Sequence, residues 1–435
     1  MGQTELFRQG LAELKAGRFA EARKLFNENE EKTGTAKETR ELLKTAEANL
    51  AAGKLDDGAQ QLQAVLERNP GLPEVYVGLA RVALFTGQLK DARTHAMGAV
   101  KVGPQLPLAW TLLGLVHESE GDAKGALPHL EKGAQFGQNV FLCQFNYGRV
   151  LASEGRAAEA IPFLTRATEL EPKNPDGFIT LGLTLRLLKQ YEKALKTLEK
   201  GKDLAPKNPD GWATLADILF EVKEFKAARD LLEGGLKAVG EHPALLEKAE
   251  ACAMVMNDIE GAIGYIERTL KVVPKFEQGW LNLAHLSLLT ENLDRSEQAA
   301  RQLLKVNPKS WEAWLHLGNL FDAVPDEAKA EDAYRNALKL APDNWKVLMN
   351  FATALLEQKD APKKWKEAKD LLTKAKGLVP QGEWRVHYNL ALAHVRLGER
   401  NDALALAKEV QSKGAANDPI VAEAKKLESN LLEKS

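Results

Sequence analysis

The chain has 435 residues, of which 28% are charged and 44% hydrophobic, and its net charge is only −2. Acidic and basic residues are interleaved, so the electrostatic footprint of a general nucleic-acid binder is absent and no nucleic-acid partner is expected. Two cysteines, Cys143 and Cys252, are too few for a disulfide framework and fit a reducing compartment.

The N-terminal stretch MGQTELFRQG enters a charged amphipathic helix at once, with no apolar signal stretch or transmembrane run. It predicts a cytoplasmic protein without direct membrane insertion. Gly2 does not make a myristoylation site, because Leu6 stands where Ser or Thr is wanted. Further along, Pro70, Pro104, Pro172, Pro206, Pro274, Pro308 and Pro342 are separated by 34 residues or by 68. Trp110, Trp212, Trp280 and Trp314 keep the same period, each six residues after a proline position or its vacant equivalent. A fixed period of this length marks a repeat array, in which each unit packs only on its neighbours.

Each unit reads as two helices. In NPDGFITLGLTLRLLKQYEKALKTLEKGKDLAPK, Phe178, Leu181, Gly182 and Leu185 mark one apolar face, and Tyr191, Ala194, Leu198 and Gly201 mark a second. Asn174, Pro175 and Asp176 supply helix-start chemistry, and Pro206 ends the second helix. This order of Trp, Leu, Gly, a large residue, Ala, Phe or Leu, Ala and Pro resembles the tetratricopeptide repeat over nearly the whole chain. The resemblance implies an all-α fold, an α-α superhelix, and a frame with Trp at position 4 and Pro at position 32. Units then fall at 3–36, 39–72, 73–106, 107–140, 141–174, 175–208, 209–242, 243–276, 277–310, 311–344, 345–382 and 384–417, twelve in all.

Position 20 is small throughout: Ala22, Ala92, Ala126, Ala160, Ala194, Ala228, Ala262, Ala330, Ala368 and Ala403, with Gly58 and Ser296 as substitutes. The second and eighth units are weakest, since Thr45 and Ala46, or Ala249 and Glu250, replace the Leu-Gly pair. Four extra residues around Asp360 to Lys366 predict a protruding loop carrying Trp365 and several lysines, and the Thr33 to Lys37 junction is two residues over frame. Both insertions are expected in turns, where added length costs little. One array spanning 3–417 is expected, closed by a capping helix in 418–435 that uses Ile420, Ala424, Leu427 and Leu431.

No phosphate-binding Gly loop, HExxH, CxxC pair or GxSxG is present, so no catalytic residue and no cofactor are assigned. His387 and His394 lie two turns apart on one helix, and His285 and His316 are expected at groove-side positions of neighbouring units. Two nitrogen ligands without a Cys or carboxylate set fall short of a metal site.

The resemblance further implies that positions 2, 5, 9, 12 and 13 of each first helix line a concave groove. Position 5 is mostly apolar and includes Phe7, Phe145, Leu281, Leu315 and Tyr388, and position 12 adds a second stripe on the same face. Such a stripe marks an interaction surface. Arg81, Arg149 and Arg186 form a loose basic patch near Phe85 and Phe145, while Asp210, Asp217 and Glu221 make the seventh unit acidic. Asn146, Asn282, Asn350 and Asn389 fall at position 6, where superhelical members of the family bind the backbone of an extended peptide. An amide suits that task because it both donates and accepts. The lysine that carboxylate-gripping members carry at position 5 is missing from every unit. The expectation is a non-enzymatic scaffold or adaptor whose groove binds a protein or peptide segment, extended or helical. A targeting or regulatory subunit of a separate enzyme, or a self-associating structural component, remains an alternative.

Overall fold

The structure, a computed structural model, describes residues 4–415 and 417–433. Gly2, the start of the array at residue 3 and the last two residues of the 418–435 segment lie outside the described residues. The chain gathers into two compact units, 1–224 and 225–435, each described by itself. The first holds α1 (Glu5–Lys15), α2 (Phe19–Thr33), α3 (Ala36–Ala51), α4 (Leu55–Arg68), α5 (Pro73–Phe85), α6 (Leu89–Val102), α7 (Pro107–Ser119), α8 (Ala123–Phe136), α9 (Phe141–Ser153), α10 (Ala157–Leu170), α11 (Pro175–Leu187), α12 (Tyr191–Leu204) and α13 (Pro209–Glu221). The second holds α14 (Phe225–Val239), α15 (Pro243–Val255), α16 (Ile259–Val272), α17 (Glu277–Leu289), α18 (Leu293–Val306), α19 (Trp311–Ala323), α20 (Glu327–Leu340), α21 (Trp345–Glu357), α22 (Pro362–Leu378), α23 (Arg385–Arg396), α24 (Arg400–Lys413) and α25 (Pro419–Glu433). The architecture is all-α: odd and even helices pair, and pairs stack within each unit as in a tetratricopeptide-repeat solenoid. No strand occurs among the described residues, and none of their helices is long and apolar enough to cross a membrane.

The Trp–Pro period has one physical cause. The indole Nε1–H of Trp110, Trp212 and Trp280 donates to the carbonyl of the proline six residues earlier, Pro104, Pro206 and Pro274, at 2.8, 2.9 and 2.9 Å. Tyr76 does the same toward Pro70 through its hydroxyl. Each bond ties the start of a first helix to the turn that precedes it. Small residues then let the paired helices touch: a Cβ on Gly182 would stand 2.3 Å from Leu198 Cγ, so only hydrogen fits. The turn between paired helices passes through left-handed backbone, taken by Gly87, Gly121 and Gly155 but also by Lys189 (φ 56°) and Glu291 (φ 57°).

The inserted residues lie elsewhere than expected. Instead of a loop, PKKWK of this segment forms the first turn of α22, with Asp360 and Ala361 left in the turn before it and Pro362 at the helix start, where its missing N–H costs nothing. Trp365 is half-buried one turn in, its Nε1–H donating to Gln358 O at 2.9 Å. The long junction after α2 is likewise absorbed by helix: α3 runs to 16 residues where the other first helices have 11 to 13. The irregular pairs remain helical, with Ala46 and Ala249 fully buried. At the C-terminal end α25 packs on α24, burying Val421 and Ala424 against Val410, with Trp384, Tyr388 and Ile420 around them. Leu427 and Leu431 are half-buried on the same helix.

Candidate functional site

In the first unit the apolar stripe of positions 5 and 12 is largely covered by neighbouring first helices: Val77, Thr111 and Ile179 are buried, and Leu84 and Phe145 half-buried. Phe145 stacks on Phe141 with ring centres 5.2 Å apart. Exposed apolar surface stands at position 13 instead, with Phe85 80% and Leu187 65% exposed in the first unit, and Leu289 70% and Val255 53% in the second. Residues four apart on a helix share a face, so position 13 continues the line of positions 5 and 9.

The basic patch is mostly neutralised within the chain. Arg149 forms a two-point pair with Glu118 on α7, Nη1 and Nη2 lying 2.7 and 2.6 Å from the carboxylate oxygens. Arg186 reaches α13, pairing with Asp217 at 3.2 Å and with Glu221 at 2.6 Å. The basic and acidic bands read from the sequence are thus cross-links between adjacent first helices, and only Arg81, which is exposed, makes no ion pair among the described residues. Asn146 is also spent: it is 7% exposed and its Nδ2–H donates to Leu142 O of its own helix at 2.7 Å.

The second unit is different. An open cleft of about 550 Å³ is lined by Asn319 and Asp322 from α19, Tyr334 from α20, Met349, Asn350 and Thr353 from α21, Arg385, Tyr388 and Asn389 from α23, and Asp418 to Glu423 at the start of α25. Those from α19, α21 and α23 stand at positions 2, 5, 6, 9 and 12 of consecutive repeats, so the cleft lies on the face the sequence assigns to the groove. Its amides are held at one end. Tyr334 OH and Asn350 Nδ2 both donate to Asn319 Oδ1, at 2.9 and 3.2 Å. Asn389 Nδ2 donates to Thr353 Oγ1 at 2.9 Å, and the Thr353 hydroxyl in turn donates to Met349 O. Asn319 Nδ2, Asn350 Oδ1 and Asn389 Oδ1 have no partner among the described residues. The cleft therefore presents one fixed amide donor and two fixed acceptors, above an apolar floor from Met349 and half-buried Tyr388.

Its charges are partly desolvated. Burial, followed by Glu357 and Glu327 nearby, raises the Asp322 carboxyl above the usual range. Arg385 is exposed and makes no ion pair among the described residues. Of the other position-5 and position-6 residues, Leu281 and Leu315 are half-buried, and Asn282 lies in a separate pocket between α15 and α17. Position 6 of the tenth repeat, His316, points into the core, with its ring centre 4.8 Å from that of His285.

His394, Glu399 and Asp402 come within 4.8 Å of one another. Lys369 already pairs with Glu399 at 2.8 Å, and the same His–acid bond recurs between His117 and Asp122. The cluster is a brace for the turn between paired helices.

A family model for the tetratricopeptide-repeat domain of cytochrome c-type biogenesis protein H matches residues 274–421. Two tetratricopeptide-repeat models match 7–73 and 49–116, and a model of anaphase-promoting complex, cyclosome, subunit 3 matches 153–235. No curated protein matches the chain in sequence. Among solved structures, yeast Tom70 is 14% identical, with 92% of this chain and 96% of that one covered at a TM-score of 0.40. PilF of Pseudomonas aeruginosa is 24% identical over 46% of this chain and 92% of its own, at 0.41. The Cut9–Hcn1 hetero-tetramer of the anaphase-promoting complex is 14% identical, covering 92% of this chain and 98% of that one, also at 0.41.

Proposed function

This chain is a tetratricopeptide-repeat protein, and we propose that it is a non-enzymatic scaffold whose second unit holds an extended segment of another protein across the amide-lined cleft. The half-pinned amides carry this reading. Each of Asn319, Asn350 and Asn389 spends one end on a neighbouring repeat, which fixes its orientation before a ligand arrives. The free ends then meet successive peptide groups of a strand-like ligand without regard to its side chains. Preorganisation of this kind lowers the entropy lost on binding. Met349 and Tyr388 supply apolar contact below, and Arg385 and Asp322 supply polarity along the rim. Cys143 and Cys252 are both buried and not joined in a disulfide, which suits a reducing compartment such as the cytoplasm.

Service as the non-catalytic subunit of a larger assembly is a second reading, favoured by the match of 274–421 to a repeat domain of a cytochrome c biogenesis protein. Both readings place the partner in the same cleft. Incorporating a photo-crosslinking residue at Met349, with Lys339 on α20 as the control position, tests the site in native lysate. Adducts at position 349 that map to one contiguous segment of a partner support the proposal; equal labelling from both positions would remove it.

A further inference from the structure

Position 8 of the repeat is where the first helix meets its pair, and it is glycine or alanine in eleven of the twelve units: Gly10, Ala46, Ala80, Gly114, Gly148, Gly182, Ala216, Ala284, Gly318, Ala352 and Ala391. The eighth unit has Glu250. A carboxylate cannot enter that contact as a methyl group does, and beside it the structure opens a pocket of about 410 Å³ between α15, the end of α16 and the start of α17. Its walls are mainly apolar, from Pro243, Val273 and Phe276, and its polar groups are Glu247, Glu250, Gln278 and Asn282.

Two of those polar groups are joined by a hydrogen bond. Gln278 Nε2 donates to Asn282 Oδ1 at 2.7 Å, and Asn282 and Glu250 line the same pocket. Glu250 is half-buried, and burial raises its carboxyl above the usual range, with Glu247 adding to the effect. Neither glutamate has a cationic partner among the described residues. In the first unit, by contrast, the groove acids Glu118, Asp217 and Glu221 are each met by an arginine of the chain.

Resting on the reading of the groove as a segment-binding surface, we propose that this pocket receives one basic side chain, lysine or arginine, of the bound segment. The chemistry matches at both ends. A long aliphatic stem lies against Val273 and Phe276 while its charged head meets two carboxylates that nothing in the chain neutralises. Phe276 is exposed at the rim, where its ring can take a guanidinium or ammonium group. Gln278, Glu247, Asn282 and Ala251 in its wall stand at positions 2, 5, 6 and 9, positions that also line the amide cleft.

The test uses the full chain, methyl-labelled at Val and Ala, titrated with N-acetyl-arginine methylamide, N-acetyl-lysine methylamide and the neutral isostere N-acetyl-citrulline methylamide. Saturable shifts at Val273 and Ala251 are expected with both cations and not with citrulline. They should weaken about tenfold or more in Glu247→Gln/Glu250→Gln. Glu250→Ala, which installs the small residue found in the other repeats, keeps the fold and should also lose the response. Equal binding of citrulline, or unchanged cation binding in either variant, would overturn the assignment. So would saturation by spermidine with no response to the two amino-acid amides, since that describes a polyamine site. The probes are single residues, so this result is independent of whether the crosslinking at Met349 finds a segment.

Discussion

His316 makes the stability of the second unit depend on pH, and the sign and size of the effect follow from its surroundings. The ring is 1% exposed, and its Nε2 lies 2.7 Å from Ser296 Oγ. Ser296 spends its own proton on Ala284 O at 2.9 Å, so the imidazole must be the donor at Nε2. That leaves Nδ1 as a bare lone pair with no partner. Protonation there would place a charged N–H where no acceptor exists, and burial, with His285 beside it, depresses the pKa from 6.5 to about 4. A depressed histidine favours the folded state only while neutral. Its contribution is complete above pH 6.5 and is lost as pH falls from there toward 4, because the unfolded chain binds the proton first. The linkage amounts to roughly 2.5 kcal/mol at pH 4.5. Urea denaturation followed by circular dichroism, run from pH 7.5 to 4.5 on wild type and His316→Leu, isolates the term from the carboxylates common to both. The variant should start less stable, having lost the bond to Ser296, and then close the gap with wild type by roughly 2 to 3 kcal/mol as pH falls. Parallel profiles would refute the argument.

Three further outcomes follow from packing. Glu291→Gly relieves left-handed backbone at φ 57° and should stabilise the second unit by about 0.5–1 kcal/mol, less than the full conformational cost because glycine also loosens the unfolded chain; a lower urea midpoint would contradict it. Gly182→Ala forces a methyl group to within 2.3 Å of Leu198 and should destabilise the first unit by about 1–3 kcal/mol in the same assay, and wild-type stability would show that α11 and α12 have room to separate. Deleting residues 418–435 uncovers Trp384, Tyr388 and Val410 and should lower the melting temperature and increase self-association in light scattering; an unchanged melting curve would mean that α25 covers nothing of consequence.

Helix pairs were legible in the sequence because the 34-residue period is written in residues with local jobs: Trp and Pro joined by one hydrogen bond, and small residues where helices touch. Contacts between consecutive repeats were not. Arg149 and Glu118 are 31 residues apart, and Arg186 and Glu221 are 35 apart, so their pairing depends on how one helix slides against the next. Read singly, they looked like bands of free charge. The insertion at Asp360 to Lys366 misled in another way, since Pro362 breaks a helix in its interior but starts one at its first turn. Asn350 and Asn389 could be placed on the groove face from spacing, whereas the half-engagement of their amides needed Asn319, Thr353 and Tyr334 in three dimensions. Glu250 stood in plain view at position 8, and was weighed only as a packing weakness. Position 13 and Phe85 were placed in the groove by the resemblance, whereas the exposure of Phe85, Leu187 and Leu289 there, against the covered stripes at 5 and 12, depends on how neighbouring helices pack.

The most direct test of the scaffold reading is the affinity of the crosslinked partner segment, as a synthetic peptide, for wild type and for Asn350→Ala/Asn389→Ala. Each lost amide removes one neutral hydrogen bond to the ligand backbone, about 1 kcal/mol, so the double variant should bind roughly 30-fold more weakly while its helicity stays near that of wild type. An unchanged dissociation constant in a fully helical double variant would contradict the account and take the amides of the cleft out of partner binding.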